Sequence, residues 1–473
     1  MQTPASNPYA PPGQPLATES ASPKIRGASF ALAVLFSMNL LNYMDRFVFN
    51  SLGKQIEGSL KIGHADFGLL SGAFMVVYSL VSPVIGWMGD RYSRRWLLAV
   101  GVGLWSVATV GTAFAEDFNQ MFFWRALLGV GEASYGVVAP ALLSDLFERR
   151  SRGRVMGWFY LAMPLGIALG YGVGGYVGAR YGWRQAFWVV GLPGLLAAAA
   201  ALLIRDPGRG ASEGHKAGAA RKPGFADYGV LFRTPSYVYN VAGLSAATFV
   251  IGAYGNYAAI FYQEVRHMPL ERASYWIAGM AFSSGIIGIL LGMFMADYLR
   301  RFTRRAYLLW TGMAALVATP FVGAAFLVEQ TYWSMGLLFV GMILLSSVLG
   351  PCNTVVANVV PASHRAAGFA LNIFLIHMLG DISSPILIGY LSKWLGRADV
   401  AASTLGRALN GLGVAPVAGE QGPENPAAGM LLVVPMLALG ALFFFLGSRH
   451  LPADQERAHK LGGGADDDGM MLH

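Results

Sequence analysis

Four charged residues lie inside segments of the chain that are otherwise long and apolar. Asp45 and Arg46 are adjacent in the first such segment, and Arg125 and Glu132 lie seven residues apart in the fourth. Seven residues make two helical turns, so Arg125 and Glu132 would share one face of a helix, about 10 Å apart along its axis. A charge at the centre of a bilayer costs on the order of 3 kcal/mol, so such residues usually have a partner or a function.

The chemistry open to these four side chains is proton exchange and anion binding. A buried carboxylate can take up a proton, and an arginine can hold an anionic group. We predict that Asp45, Arg46, Arg125 and Glu132 pair with one another and act in gating or proton coupling, because protonation of an acid would release an arginine. The alternative is a fixed network of ion pairs that only orients helices. The residues leave open which acid carries the proton.

A second polar pair lies in the eleventh apolar segment. His377 and Asp381 are one helical turn apart. Histidine titrates near neutral pH, so the pair could exchange a proton. It could equally be a helix-packing pair with no further role.

Twelve apolar segments must position these residues. The chain of 473 residues is 55% hydrophobic and only 13% charged, with a mean hydropathy of +0.48. A soluble domain carries nearly twice that share of charge, so the composition indicates an all-α membrane protein. Each segment is long enough to cross roughly 30 Å of hydrocarbon as a helix. The segments run at about 27–50, 65–88, 96–115, 118–146, 153–178, 183–204, 236–262, 273–298, 305–328, 331–358, 365–394 and 427–447.

The distribution of basic residues predicts how these segments are oriented. With a cytoplasmic N-terminus, 23 Lys and Arg residues fall on the cytoplasmic side and 9 on the other. This asymmetry predicts a multi-pass inner-membrane protein with both termini in the cytoplasm. The net charge of +8 sits in short clusters between apolar segments, which argues against nucleic-acid binding.

The polar segment 205–235 separates two halves of six segments each. We predict a disordered cytoplasmic tail at 1–26, six-helix bundles at 27–204 and 236–448, a cytoplasmic linker between them, and a cytoplasmic tail at 449–473. The two halves resemble each other in sequence. An acidic residue followed by arginines comes after the second segment (90–95) and again after the eighth (297–301). We therefore expect two pseudo-symmetric bundles.

Two motifs resemble those of the major facilitator superfamily. Residues 86–95, GWMGDRYSRR, resemble its loop motif G-x-x-x-D-R-x-G-R-R, with Ser93 at the second glycine. The resemblance implies a twelve-helix fold and a cytoplasmic latch formed by Gly86, Asp90, Arg91, Arg95 and Asp145. Glycines 157, 166, 170, 174 and 175 resemble the antiporter motif of the fifth helix, in which Tyr171 replaces a proline.

The chain is more closely similar to the spinster family, whose members are implicated in moving sphingolipids and lysophospholipids. Residues 42–46 (NYMDR), 125–133 (RALLGVGEA), 182–187 (GWRQAF) and 377–385 (HMLGDISSP) carry this similarity. In the resembled fold the first and fourth helices line a central cavity. The resemblance implies that this cavity is also lined by Asn42, Tyr254, Asn256, Tyr257, Asn353 and Thr354.

Together these observations predict a secondary transporter that is coupled to protons and moves an amphipathic, lipid-like solute by alternating access. A proton-coupled symporter of small organic anions, such as sugar acids, is the alternative. An intramembrane enzyme is disfavoured, because the spans contain no HExxH, no GxSxG and no closely spaced pair of aspartates. A sensor built on the transporter scaffold stays open. We expect a monomer that uses no cofactor and no metal, only protons.

Overall fold

The computed structural model describes residues 27–89, 91–147, 149–207, 229, 231–360 and 365–461. The predicted tail at 1–26, most of the linker and the latch residue Asp90 lie outside the described residues. The described chain is helical, except for one short hairpin in a loop. The confirmed architecture is the all-α membrane fold of twelve spanning helices.

The described residues of the first half form seven helices, of which six span the membrane and α2 is a short connector. Their bounds are α1 Ala28–Ser51, α2 Gly53–Leu60, α3 His64–Gly89, α4 Arg94–Thr112, α5 Phe118–Leu146, α6 Arg149–Tyr181 and α7 Trp183–Ala201.

The second half begins with α8 Pro235–Glu264, α9 Leu270–Arg300 and α10 Ala306–Leu327. Two consecutive helices, α11 Thr331–Ser346 and α12 Leu349–Val359, together make its fourth span. The fifth span joins α13 Arg365–Ile376 to α14 Ser383–Gly396 through a π-helical turn at His377–Asp381. A loop then carries α15 Ala398–Ala401, α16 Thr404–Gly411, and the antiparallel strands β1 Val417–Gly419 and β2 Gly422–Glu424. The last span is α17 Pro426–Met430 with α18 Val433–Leu461.

Helix α1 is the least apolar of the spans. Among the described residues, eleven helical segments have both the length and the hydropathy expected of a membrane span. Helix α1 is not one of them. It has 24 residues, which corresponds to about 36 Å of helix, and so reaches across a bilayer. Its polar residues Asn39, Asn42, Asp45 and Arg46 lower its hydropathy.

Helix α18 extends beyond its predicted end. The sequence predicted a tail from residue 449, but the helix continues to Leu461. Leu451 is buried, and the Asp454 carboxylate accepts a hydrogen bond of 2.9 Å from the backbone N–H of Ser236 at the start of α8. An acid at a helix N-terminus satisfies a free N–H and the helix dipole. This contact holds the extension against the second half.

The two halves pack together at one face of the membrane. Because the number of spans is even, both ends of the chain lie at one face, which we call the termini face; the other is the opposite face. At the opposite face α3 packs on α14 so closely that a Cβ on Gly68 would overlap the carbonyl of Pro385. Nearby, Ser51 of α1 contacts Ser274 of α9 at 3.4 Å between hydroxyl oxygens. Small residues permit this close approach of helices, so this face is closed.

Candidate functional site

The centre of the first half contains a buried ion pair between α1 and α5. The guanidinium Nη2 of Arg46 lies 2.6 Å from Oε2 of Glu132, and the Nε of Arg46 donates to the same oxygen at 2.7 Å. Glu132 has no exposed side-chain surface, whereas the Arg46 side chain is 18% exposed. Arg46 is therefore the member of the pair that a solute could reach.

Aromatic rings surround both arginines. The guanidinium of Arg46 lies 4.9 Å from the ring centre of Phe74 and 5.4 Å from that of Tyr78. The guanidinium of Arg125 lies 4.0 Å above the ring of Phe49 and 5.0 Å from that of Phe74. Cation–π contacts of this kind stabilise a charge where water is scarce. Phe74, on α3, thus lies between the two cations.

The other two charges are not paired as the sequence predicted. Asp45 points toward α4, where the hydroxyl of Thr109 donates to its Oδ2 at 3.0 Å. Among the described residues, no carboxylate oxygen lies within 4.0 Å of a nitrogen of Arg125. The predicted network of four paired charges is thus one ion pair, one hydrogen-bonded acid and one arginine stacked on rings. Helix rotation explains this outcome, because adjacent residues such as Asp45 and Arg46 point about 100° apart on a helix.

Several polar atoms around the pair have no hydrogen-bond partner among the residues that the structure describes. They are buried and belong to three of the four charged residues or to the neighbouring turn of α1: Asn42 Nδ2, Asp45 Oδ1, Arg125 Nε and Glu132 Oε1. Buried polar groups are usually hydrogen-bonded, so a concentration of free ones marks a place for polar chemistry. Asn42 lies one turn from Arg46 on the same helix.

The predicted cavity residues of the second half have different surroundings. Tyr257 is fully buried between the halves, and its hydroxyl contacts the carbonyl oxygens of His64 at 2.8 Å and Pro385 at 3.0 Å. It seals the opposite face and lines no open space. Tyr254 is also buried, and its hydroxyl has no hydrogen-bond partner in the part of the chain that the structure describes. Asn256 is half-buried and donates to the carbonyl of Gly252 at 2.8 Å.

The two predicted residues of α12 are more accessible. Asn353 is exposed, and Thr354 is half-buried. The hydroxyl of Thr354 donates to the carbonyl of Gly350 in its own helix at 3.1 Å.

His377 and Asp381 form a direct contact within the π-helical turn. Nδ1 of His377 lies 2.6 Å from Oδ2 of Asp381, and the two side chains are 30% and 25% exposed. A Cβ on Gly380, between them, would overlap the hydroxyl of Thr248 in α8. The turn therefore packs tightly on α8 while its polar pair stays accessible.

The residues predicted to form a latch lie at the termini face. Asp145 pairs with Arg94, and the backbone N–H of Arg94 donates to Asp206 at 3.2 Å. Arg94 is buried, whereas the predicted latch residues Arg91 and Arg95 are exposed. Arg91 lies 4.0 Å above the ring of Trp87.

Arg94, which lies outside the predicted latch set, is a partner of Asp145, because Arg94 starts α4 and its side chain is buried. Gly86 has room for a Cβ, whose nearest neighbour would be Val137 at 3.7 Å. Arg94 thus connects α5, through Asp145, to Asp206 just after α7.

A group of buried titratable residues at the opposite face was not predicted from the sequence. It consists of Glu57, His64, Glu264 and Glu424. These residues come from α2, α3, α8 and β2, and up to 360 positions separate hydrogen-bonded partners. Within the sequence, only Glu57 and His64 lie near each other. The structure brings them together through a tight turn at Lys61, which has a positive φ of 55°.

Comparison with known proteins identifies the family. A sequence model of the Major Facilitator Superfamily matches residues 35–385. Protein spinster homolog 1 of Rattus norvegicus is 35% identical over 397 residues, which cover 78% of this chain and 74% of the relative. The chain belongs to the spinster family of this superfamily. It is a membrane transporter and not an enzyme.

Other spinster proteins match over similar or greater lengths. Protein spinster homolog 3 of Danio rerio is 30% identical over 475 residues, covering 96% of this chain and 91% of the relative. Protein spinster of Drosophila melanogaster is 34% identical over 379 residues, which span 78% of this chain but 62% of the longer fly protein.

Solved structures share the fold. A bacterial homologue of the human lysosomal transporter spinster, in an inward-facing and unoccupied conformation, superposes with a TM-score of 0.77 at 23% identity. The match covers 91% of this chain and 98% of that one. A D-xylose–proton symporter matches with a TM-score of 0.67 at 15% identity, over 88% of this chain and 97% of the symporter.

Proposed function

We propose that this spinster-family member is a proton-coupled secondary transporter, which moves an amphipathic solute of the lysolipid or sphingolipid type across the inner membrane. The observation that carries the proposal is the ion pair of Arg46 and Glu132, buried between α1 and α5 with only the arginine accessible. A pair at this depth is expensive to insert and is suited to being broken and remade during a cycle.

Proton uptake by Glu132 would break this pair. A neutral carboxylic acid no longer attracts the guanidinium, so Arg46 would become available to an anionic headgroup. The rings of Phe74 and Tyr78 would keep Arg46 in place during the exchange, because cation–π contacts do not depend on the acid. Asp45, whose one side-chain hydrogen bond in the described part of the chain comes from Thr109, is the second acid that can take the proton.

The surroundings of the two arginines support an amphipathic solute. The Nε of Arg125 has no hydrogen-bond partner among the described residues, and its guanidinium lies on Phe49, so a headgroup could bind it without displacing a carboxylate. Aromatic walls beside a cation suit a molecule with an anionic end and an apolar remainder. The lipid-like class itself rests on the spinster resemblance.

Alternating access supplies the transport step. The opposite face is closed by contacts between α3 and α14, so the described state would open toward the termini face. In the orientation predicted from basic residues, the termini face is cytoplasmic and this state faces inward. We infer a monomer in the bilayer that needs no cofactor beyond coupling protons and binds no nucleic acid.

The experiment is solute uptake into proteoliposomes driven by a pH gradient. Wild type is compared with Glu132→Gln, Asp45→Asn and, as a control, Glu116→Gln at an exposed position. Glu132→Gln is expected to lower gradient-driven uptake at least tenfold while uncoupled exchange persists. Full gradient-driven uptake in both site variants would contradict the coupling role.

Thermal stabilisation by ligands separates the two solute classes. A ligand at 100 times its Kd raises the unfolding free energy by about 2.7 kcal/mol, which is readily measured as a higher Tm. We expect stabilisation by lysolipids and none by hexuronates. The opposite result would favour the organic-anion symporter, a function compatible with this fold because a D-xylose–proton symporter shares it.

A further inference from the structure

Three carboxylates surround one buried imidazole at the opposite face. Nδ1 of His64 lies 3.0 Å from Oε1 of Glu57 and 3.3 Å from Oε2 of Glu424, and its Nε2 lies 3.2 Å from Oε2 of Glu264. The side chains are between 1% and 11% exposed. We call these four residues the gate cluster.

The gate cluster joins the two halves of the transporter. Glu57 and His64 belong to the first half, whereas Glu264 and Glu424 belong to the second. The carboxylate of Glu424 also accepts the backbone N–H of His64 at 3.1 Å. His64 is the first residue of α3, so an acid of one half neutralises the helix N-terminus of the other. Separating the halves would break every one of these contacts except that between Glu57 and His64.

The geometry requires protons. Both ring nitrogens of His64 face carboxylate oxygens, yet a neutral imidazole has one N–H and one lone pair. The lone-pair side would face an anion, unless the ring carries its second proton or the acid carries one. Nε2 of His64 and Oε2 of Glu264 are buried and meet without a well-directed hydrogen bond. The assembled cluster therefore holds at least one proton more than its separated residues would.

The surrounding charges compensate only part of the negative charge. Lys393 of α14 interacts with Glu424, but its amine is held by Gln421 at 3.1 Å. The Asp66 carboxylate also accepts a hydrogen bond from Gln421, at 2.7 Å, and adds a further negative charge. Tyr257 contributes a neutral hydroxyl to the His64 carbonyl. Even with an imidazolium, three carboxylates leave a net negative charge.

The pKa directions agree with this requirement. Burial raises the pKa of Glu57 to about 7, although the neighbouring His64 opposes the change. Burial likewise raises the pKa of Glu424, again opposed by His64. Both acids thus bind protons more tightly where the halves meet than they would in water.

We propose that the gate cluster is a proton-binding site which locks the opposite face shut, so that protons arriving at that face drive the transporter toward its inward-facing state. This site is distinct from the Glu132 pair and deepens the proposed proton coupling, on which its role in transport rests.

The sign of the pH dependence follows from linkage. A group whose pKa is higher in the closed state stabilises that state at low pH, and the stabilisation is lost as the pH rises through the raised value. For Glu57 the stabilisation is complete below the ordinary carboxyl pKa of 4.5 and is lost between that pH and about 7. The closed gate should therefore dominate at pH 5 and open progressively as the pH rises to about 7.

A divalent cation is the competing ligand for these residues. Glu57, His64 and Glu264 bring their ligand atoms within 4.8 Å of one another. A metal needs a ring lone pair directed toward the same point as the carboxylates. Here the carboxylates lie at both nitrogens of the ring, which is the arrangement of a doubly protonated imidazole. The geometry favours protons.

The test is a distance measurement across the opposite face as a function of pH. Spin labels are attached in a Cys352→Ala background at Phe114→Cys and Leu412→Cys, two exposed positions on different halves. Purified protein in nanodiscs, without solute or gradient, is measured from pH 5 to 8.5. Molecules with the short distance between the labels should dominate at pH 5. The fraction of molecules with the long distance should rise at least fivefold by pH 8.5.

Two kinds of variant should shift the gate in opposite directions. His64→Gln leaves the carboxylates facing one another without a cation, so the long distance should prevail at every pH. Glu57→Gln and Glu264→Gln each remove a negative charge and keep a hydrogen-bonding group, so the short distance should persist to higher pH. Glu271→Gln is the matched control, because it breaks an exposed ion pair between the halves at the same face and should leave the pH response unchanged.

Several outcomes would overturn the proposal. A distance distribution independent of pH in wild type would do so, as would opening by Glu57→Gln in protein that still elutes as a folded monodisperse species. Closure by Zn²⁺ or Mn²⁺ that EDTA reverses, without a pH effect, would assign the site to a metal. Because no solute is present, these results are independent of the uptake assay on Glu132.

Discussion

The hydroxyl of Tyr171 in α6 donates to the carbonyl of Gly255 in α8 across 2.6 Å. The bond is buried and connects the fifth span of the first half to the first span of the second. Tyr171 occupies the position at which the antiporter motif has a proline, so this chain has a hydrogen bond between its halves where a motif of that type would have a helix-bending residue.

Tyr171→Phe should destabilise the closed opposite face. Removing one net hydrogen bond is worth about 1 kcal/mol, or about a fivefold shift toward the open state. The distance measurement described for the gate cluster would detect it at pH 5. Tyr181→Phe, at an exposed position of the same helix, is the control and should change nothing. An unchanged distribution in Tyr171→Phe would mean that the bond does not contribute to closure.

Gly68→Ala should prevent closure by steric overlap. The added Cβ would meet the backbone carbonyl of Pro385, which cannot move aside as a flexible side chain could. Alanine is the better helix former, so α3 itself should not be weakened. We expect gradient-driven uptake to fall at least tenfold with little change in Tm. Gly279→Ala, at a glycine with no neighbour within 4 Å of the added Cβ, serves as the control. Normal uptake by Gly68→Ala would argue against this contact as a gate.

Thr109→Val should expose the dependence of Asp45 on its one hydrogen-bond donor. The substitution keeps the shape of the side chain but leaves both carboxylate oxygens of Asp45 without a hydrogen-bond partner among the described residues, which costs about 1–3 kcal/mol of unfolding free energy. Thermal unfolding in detergent would measure the loss. Thr112→Val is one turn further along α4 and loses only a bond to the carbonyl of Ala108. Equal Tm values for the two variants would count against the Asp45–Thr109 bond.

The ion pair of Arg94 and Asp145 should be structural within the first half. Arg94→Gln breaks a pair in which the arginine is buried and should lower the unfolding free energy by about 2 kcal/mol. Arg95→Gln removes the adjacent, exposed arginine and should change it by less than about 0.5 kcal/mol. Thermal unfolding of both variants is the measurement. If Arg95→Gln lowered the unfolding free energy more than Arg94→Gln, the predicted latch residue Arg95 would be the arginine that stabilises this region.

The sequence was sufficient for the architecture and for the central acid and arginines. Long uncharged segments indicate membrane spans directly, because each span must place about 20 apolar residues in the bilayer. Charges such as Glu132 and Arg46 stand out against that background, since their insertion cost is a property of the residue and its depth. The family motifs are likewise local in the chain and could be recognised without coordinates.

Partners and gates were decided by the tertiary structure. Asp45 and Arg46 are neighbours in the chain, yet one binds Thr109 of α4 and the other Glu132 of α5. Which neighbour each meets depends on helix rotation and packing, which hydrophobic periodicity does not specify when a helix is apolar on most sides.

The gate cluster illustrates the same limit more strongly. Glu57 and Glu424 lie in short connecting elements and His64 and Glu264 at helix ends, where a lone acid in a sequence indicates only a solvated surface. They become a buried group because closure of the two halves removes water from around them. The sequence alone therefore determined the spans and the charges within them, whereas only the packing of one half on the other determined which charges meet.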